Sequence, residues 1–127
     1  MLTVHVQSGH GPYAQTVSVR HHQFTADESP ELGGEDAGPN PGELLLSALG
    51  ACVAITIKMY ARRKGWALDD VAVDVSGSTQ DGVYVIERKL TFTGALSDEE
   101  RQRLTEIAGR CPVSKRLAGP IEIRAVA

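Results

Sequence analysis

The stretch from Asn40 to Lys64 constrains the fold more than any other part of this chain. Asn40-Pro41-Gly42-Glu43 carries the marks of a helix start: an asparagine N-cap, a proline at the first helical position and a glutamate at the third. Gly65 stops the helix after Lys64. Between Leu44 and Ile57 the residues are apolar almost all round, the pattern of a helix buried on several sides. One small sheet covers only one face of such a helix. A second copy of the chain would cover the others, so the pattern predicts a homodimer with this helix near its centre. The apolar run spans 14 residues and ends at Lys58, short of the roughly 20 a bilayer requires, and no membrane partner is expected.

The rest of the chain supplies short strands and a second helix. Leu2 to Gln7 and Ala14 to Arg20 alternate around the turn Ser8-Gly9-His10-Gly11-Pro12 and predict a β-hairpin, with a third strand near His22 to Thr25. Asp27 to Asn40, rich in Gly, Pro, Asp and Glu, reads as a loop of a length that often carries function. Val71, Val73 and Val75 alternate with polar or small residues. Gln80-Asp81-Gly82 is a hairpin turn, and the return strand Val83 to Thr93 sets Tyr84, Ile86, Leu90 and Phe92 on one face, interrupted by Arg88. Ser97-Asp98-Glu99-Glu100 opens a second helix with a capping box. Its apolar stripe of Leu104, Ile107 and Ala108 continues to Cys111, and Val113 to Leu117 extends it by a further helical turn beyond Pro112. Ile121 and Ile123, alternating with Glu122 and Arg124, predict a closing strand. At 127 residues the chain reads as one domain, 1–127. The order predicts an α+β fold, with helices on one side of mostly antiparallel strands.

A net charge of −3 leaves no basic footprint for nucleic acid. Met1-Leu2-Thr3-Val4-His5 has neither charged leader nor apolar core of a signal peptide, so a cytoplasmic location is expected. In that reducing compartment the two cysteines, 59 positions apart, are more often catalytic, redox-sensing or buried than a structural disulfide. Four scattered histidines without metal-binding spacing give no support to a zinc site.

Two readings stand for each thiol. Cys52, mid-helix beside Leu45, Ala48, Leu49 and Thr56, is either a small apolar filler or a reactive sulfur, and apolar burial favours the filler by raising a thiol pKa. Cys111, in Arg110-Cys111-Pro112-Val113-Ser114-Lys115, precedes a proline that fits the first position of a new helix. There a thiolate would meet unpaired backbone N–H groups, with Arg110 and Lys115 close in sequence. The alternative is a buried cysteine capping a kink. Peroxide reduction needs an attacking thiolate that becomes a sulfenic acid, a second thiol that condenses with it, and a donor or cation that keeps the sulfur ionised.

The segment from Gly38-Pro39-Asn40-Pro41-Gly42-Glu43 through Ala48-Leu49-Gly50-Ala51-Cys52 resembles the first-cysteine helix of a known peroxidase family, and Cys111-Pro112-Val113-Ser114-Lys115 resembles its second-cysteine motif. That family comprises osmotically inducible protein C and the organic hydroperoxide resistance proteins, and the resemblance covers essentially the whole chain. It implies an OsmC-like fold, an intertwined homodimer with two active sites at the subunit interface. It also implies Cys52 as peroxidatic thiol, Cys111 as resolving thiol, organic hydroperoxides as substrates, thiol or lipoyl reductants, and neither metal nor haem as cofactor. The organic-hydroperoxide branch places a glutamate directly after the helix-start proline and pairs it with an N-terminal arginine. Here that position is Gly42, the acid follows at Glu43, and Arg20 is the best positional arginine, with Arg88 its competitor. Glu43 lies nine residues before Cys52, about 13.5 Å along a helix. It would act through an arginine or from a second subunit, or serve only as a cap. Besides a peroxidase, the same chain fits a non-catalytic small-ligand-binding protein or a thiol redox sensor.

Overall fold

Alternating small polar and β-branched residues at the start of the chain produce three short antiparallel strands, β1 (His5–Ser8), β2 (Gln15–Val19) and β3 (His22–Ala26), in the order β1-β2-β3. The computed structural model describes residues 1–126, which form two compact units, one of residues 1–45 and one from residue 46 onward. In the first unit Val17 pairs with Val6 on one side and Phe24 on the other. Val19 faces His22, so Arg20 and His21 alone make the turn, with Arg20 at φ 52°.

The loop after β3 is folded around one carboxylate. Asp27, 3% exposed, accepts the backbone N–H groups of Glu28 at 2.7 Å, Ala37 at 3.1 Å and Glu35 at 3.3 Å, and Pro30–Leu32 adds a short 3-10 turn. Hydrogen bonds from Ala37 and Glu28 hold the Asp27 carboxyl below its ordinary value, against the opposing effect of burial. Because the folded pKa is the lower one, the stabilisation is present above the ordinary carboxylate range and disappears as pH falls through the folded value. Asp27→Asn is therefore expected to speed amide exchange in residues 28–39 near neutrality, with the difference from wild type vanishing in acid. Equal exchange near neutrality would contradict this role.

Helix α1 spans Pro41–Lys64, and its start is closed reciprocally. The Glu43 N–H donates to Asn40 Oδ1 at 2.8 Å, and the Asn40 N–H donates to Glu43 Oε1 at 2.9 Å. In the second unit, α1 is followed by β4 (Asp70–Gln80), β5 (Val83–Thr93), α2 (Asp98–Ala108) and α3 (Pro112–Ala118). β4 and β5 form a long antiparallel hairpin. Its turn, Asp81-Gly82, has both residues at positive φ, 49° and 79°, which matches the right-handed twist of the flanking strands. α1 comes so close to this hairpin that a Cβ at Gly50 would lie 3.2 Å from the Val75 side chain.

Leu49, Val53, Ile57 and Ala61, spaced by four, bury one stripe of α1 in a core with Leu104, Ala108 and Cys111. Val71, Val73, Val75, Ile86, Leu90 and Phe92 pack against it from the hairpin. The opposite side of α1 keeps Ile55 57% and Met59 63% exposed, so within a single chain the helix is buried on one face and not on several. By length and composition α1 meets the requirement for a bilayer span, but its buried stripe is that of a core helix. α2 begins with the expected capping box of Ser97 and Glu100. It is tied to the end of β5 by Arg101, which donates to the carbonyls of Phe92 at 3.3 Å and Gly94 at 3.2 Å.

The expected closing strand is not formed. Residues 120–126 adopt no regular structure, and Ile121 and Ile123 are exposed. Alternation alone does not make a strand; the backbone needs a neighbour to pair with, and these residues pair with none of the described strands. The remaining elements make the α+β arrangement of antiparallel strands and helices that the sequence predicts.

Candidate active site: the thiol pair

The apolar stripe of α2 sets the position of Cys111. Leu104, Ile107 and Ala108 are buried, Gly109 ends the helix, and Cys111 follows as the N-cap of α3, with Pro112 at its first position. Its side chain has no exposure. Ser114 Oγ lies 2.9 Å from the Cys111 sulfur, and the Ser114 N–H donates to that sulfur at 3.3 Å. From α1, half-buried Cys52 packs against the same core, near enough to Cys111 for its thiol to help lower the Cys111 pKa. The fold thus brings together two sulfurs separated by 59 positions, both as free thiols.

Burial pushes the Cys111 thiol up, but hydrogen bonds from the Ser114 hydroxyl and N–H, the Cys52 thiol and the Val113 N–H together leave it below its ordinary value. Backbone N–H groups at the start of α3, another donor or a nearby cation are the groups expected from the sequence for this task. The structure assigns it to a hydroxyl, a second thiol and backbone N–H groups. Ser114 is the residue that sequence reasoning missed, although its position three after the N-cap is where a capping partner belongs. Ser114→Ala is expected to raise the Cys111 pKa, so that disulfide closure after peroxide treatment moves to higher pH, with Ser114→Thr restoring most of the shift. An unchanged pH profile in the alanine variant would remove Ser114 from this role.

A groove of about 450 Å³ opens beside the pair. Leu49, one turn before Cys52 on α1, forms part of its wall, together with Ser114, Tyr84, Ile86 and Leu117. Arg88 and Lys115 line it as well. Arg88 stands opposite Val75 in an unbroken register, so no bulge accounts for its place in the apolar pattern, and it is exposed at the groove. The other two candidates belong to the first unit. Arg20 is exposed at the β2–β3 turn, and Glu43 closes the N-terminal cap of α1.

The family model of the OsmC-like protein matches residues 33–126, which include both thiols and the groove. The chain belongs to the OsmC-like protein family. No curated protein matches it significantly. Among solved structures, this OsmC-like chain is similar to the OsmC-like protein of Mycoplasma pneumoniae, with 23% identity, 94% of this chain and 88% of that one covered, and a TM-score of 0.78. It is similar also to the organic hydroperoxide resistance protein OsmC of Legionella pneumophila, with 25% identity, coverage of 94% and 90%, and a TM-score of 0.67. For the organic hydroperoxide resistance protein OhrB of Bacillus subtilis the values are 23% identity, coverage of 94% and 91%, and a TM-score of 0.63. Family and neighbours together support a general role in oxidative stress.

Proposed function

We propose that this OsmC-like protein is a thiol-dependent peroxidase that reduces organic hydroperoxides, with Cys52 as the attacking sulfur and Cys111 as the resolving one. The observation that carries the proposal is the packing of both thiols on one core cluster, with Ser114, the hydrogen-bond partner of Cys111, lining a largely apolar groove. The division of roles rests on access and ionisation. Cys52 is only partly buried, so a peroxide meets it first. Cys111 is fully covered and has its pKa lowered, which suits a thiolate held for the second step.

In the first step the Cys52 thiolate attacks the terminal peroxide oxygen. The O–O bond breaks, the alcohol leaves after taking up a proton, and Cys52 becomes a sulfenic acid. In the second, the Cys111 thiolate attacks the Cys52 sulfur, the S–O bond breaks, water leaves after protonation of the departing hydroxide, and a disulfide forms. A thiol or lipoyl dithiol then reduces the disulfide and is itself oxidised. The names of the Legionella and Bacillus proteins, which denote organic hydroperoxide resistance, support this substrate class.

The proposal includes a cytoplasmic homodimer, because Ile55 and Met59 expose the second apolar side of α1. The alternatives, a redox sensor and a ligand-binding module, are separated by turnover. With excess dithiol, the peroxidase is expected to consume many equivalents of cumene hydroperoxide per chain and hydrogen peroxide more slowly. A single equivalent consumed would indicate the sensor, and none the binding module.

A further inference from the structure

The groove holds two cations that the chemistry of the thiol pair does not use. Its walls are otherwise mainly apolar, from Leu49, Tyr84, Ile86 and Leu117. Arg88 and Lys115 both border it, and neither has an ion pair or side-chain hydrogen bond among the described residues. Arg88 is the more telling of the two. It shares the strand face of Ile86 and Leu90, which pack into the core, so strand alternation calls for an apolar residue at its position. Neighbouring Glu87 and Lys89 alternate to the other strand face. Asp74 and Glu87 border a smaller cleft with Arg88, but among the described residues no carboxylate lies within ion-pairing distance of it. Lys115 is on the first turns of α3, next to Ser114, whose hydroxyl touches the Cys111 sulfur. Ser114 lines the groove too, so the positive charge borders the same space as the residue that contacts the Cys111 sulfur.

We infer that Arg88 and Lys115 form an anion-anchoring subsite, which selects carboxylate-bearing apolar hydroperoxides over neutral ones. The planar guanidinium of Arg88 suits a carboxylate through two parallel N–H···O bonds, and Lys115 adds a point charge. The apolar walls take the hydrocarbon body. This inference rests on the peroxidase reading of the thiol pair and names the substrate class for that site. Arg88 and Lys115 determine specificity and take no part in bond making.

The test compares cumene hydroperoxide with its para-carboxylate analogue under dithiol turnover. Wild type is expected to show a kcat/KM about 10-fold higher for the carboxylate, the size of one charge-assisted hydrogen bond. Arg88→Ala and Lys115→Ala should each lower that ratio, the double variant should bring it close to one, and Arg88→Lys should retain part of it. Rising salt should erode the preference in wild type. A ratio near one in wild type, or a ratio that survives the double variant, overturns the subsite. If neither peroxide is consumed, the peroxidase reading fails, and binding of unreactive 4-isopropylbenzoate, followed by NMR shifts of the Ile86 and Leu117 methyl groups, still decides the subsite. Shifts in wild type that are lost in the double variant support it, and their absence in wild type refutes it.

Discussion

Replacing Cys52 by serine is expected to abolish the reduction of organic hydroperoxide, with a fall of more than about a thousandfold in rate. A serine hydroxyl is not ionised near neutrality and is a far weaker nucleophile than a thiolate, and no other described thiol is exposed to take over, since Cys111 is completely covered. The contrasting variant sharpens the expectation. Cys111→Ser should still consume the first equivalent of peroxide, but Cys52 would then persist as a sulfenic acid or pass to sulfinic acid. Peroxide consumption by purified protein, followed by the mass of the product, reads both. A Cys52→Ser protein that works at the wild-type rate would place the chemistry elsewhere.

The second large effect concerns the core that holds the sulfurs in place. Leu104 is fully buried and belongs to the same cluster as Val53, Ile57, Ala108 and Cys111. Leu104→Ala removes its branched end from a packed site and is expected to lower stability by about 2–5 kcal/mol, measured by urea unfolding. Because the cavity opens beside Cys111, closure of the Cys52–Cys111 disulfide should slow in the same variant. A loss below about 1 kcal/mol would mean that the site collapses around the change, and that the sulfur positions do not depend on this side chain.

The features legible in the sequence are those set by local chemistry. Asn40, Pro41 and Glu43 announce the start of α1, and the reciprocal hydrogen bonds of Asn40 and Glu43 are formed. Asp81-Gly82 announces the hairpin, and both residues take positive φ. Ser97 and Glu100 cap α2. The features that were not legible depend on what lies across from a residue. Ile121 and Ile123 alternate as a strand would, yet β4 and β5 pair only with each other. Arg20 reads as a strand end but occupies a left-handed turn position, a conformation for which arginine gives no signal. Arg88 breaks an apolar alternation, and only the unbroken register with Val75 shows that it does so without a bulge.

The thiol pair shows the same division. Each cysteine could be assigned to an inward helix face by periodicity, but the distance between two helices is not encoded in the spacing along either. It follows from the packing of the α2 stripe, Leu104 and Ala108, with Leu49, Val53 and Ile57 of α1. The Ser114 hydroxyl was hidden for a related reason. A charged neighbour is visible in sequence, as Arg110 and Lys115 are, whereas the hydroxyl of Ser114 acquires its role only when α3 turns it back onto the Cys111 sulfur.

The central claim is that the Cys52 and Cys111 sulfurs of one chain join when peroxide arrives. Intact-mass and peptide measurements on wild type after one equivalent of cumene hydroperoxide test it directly. The expected product has lost two hydrogens, has no titratable thiol and yields a single cross-linked peptide pair containing Cys52 and Cys111 of the same chain. Recovery of both thiols unreacted, or of Cys52 oxidised alone with Cys111 still free, would contradict it.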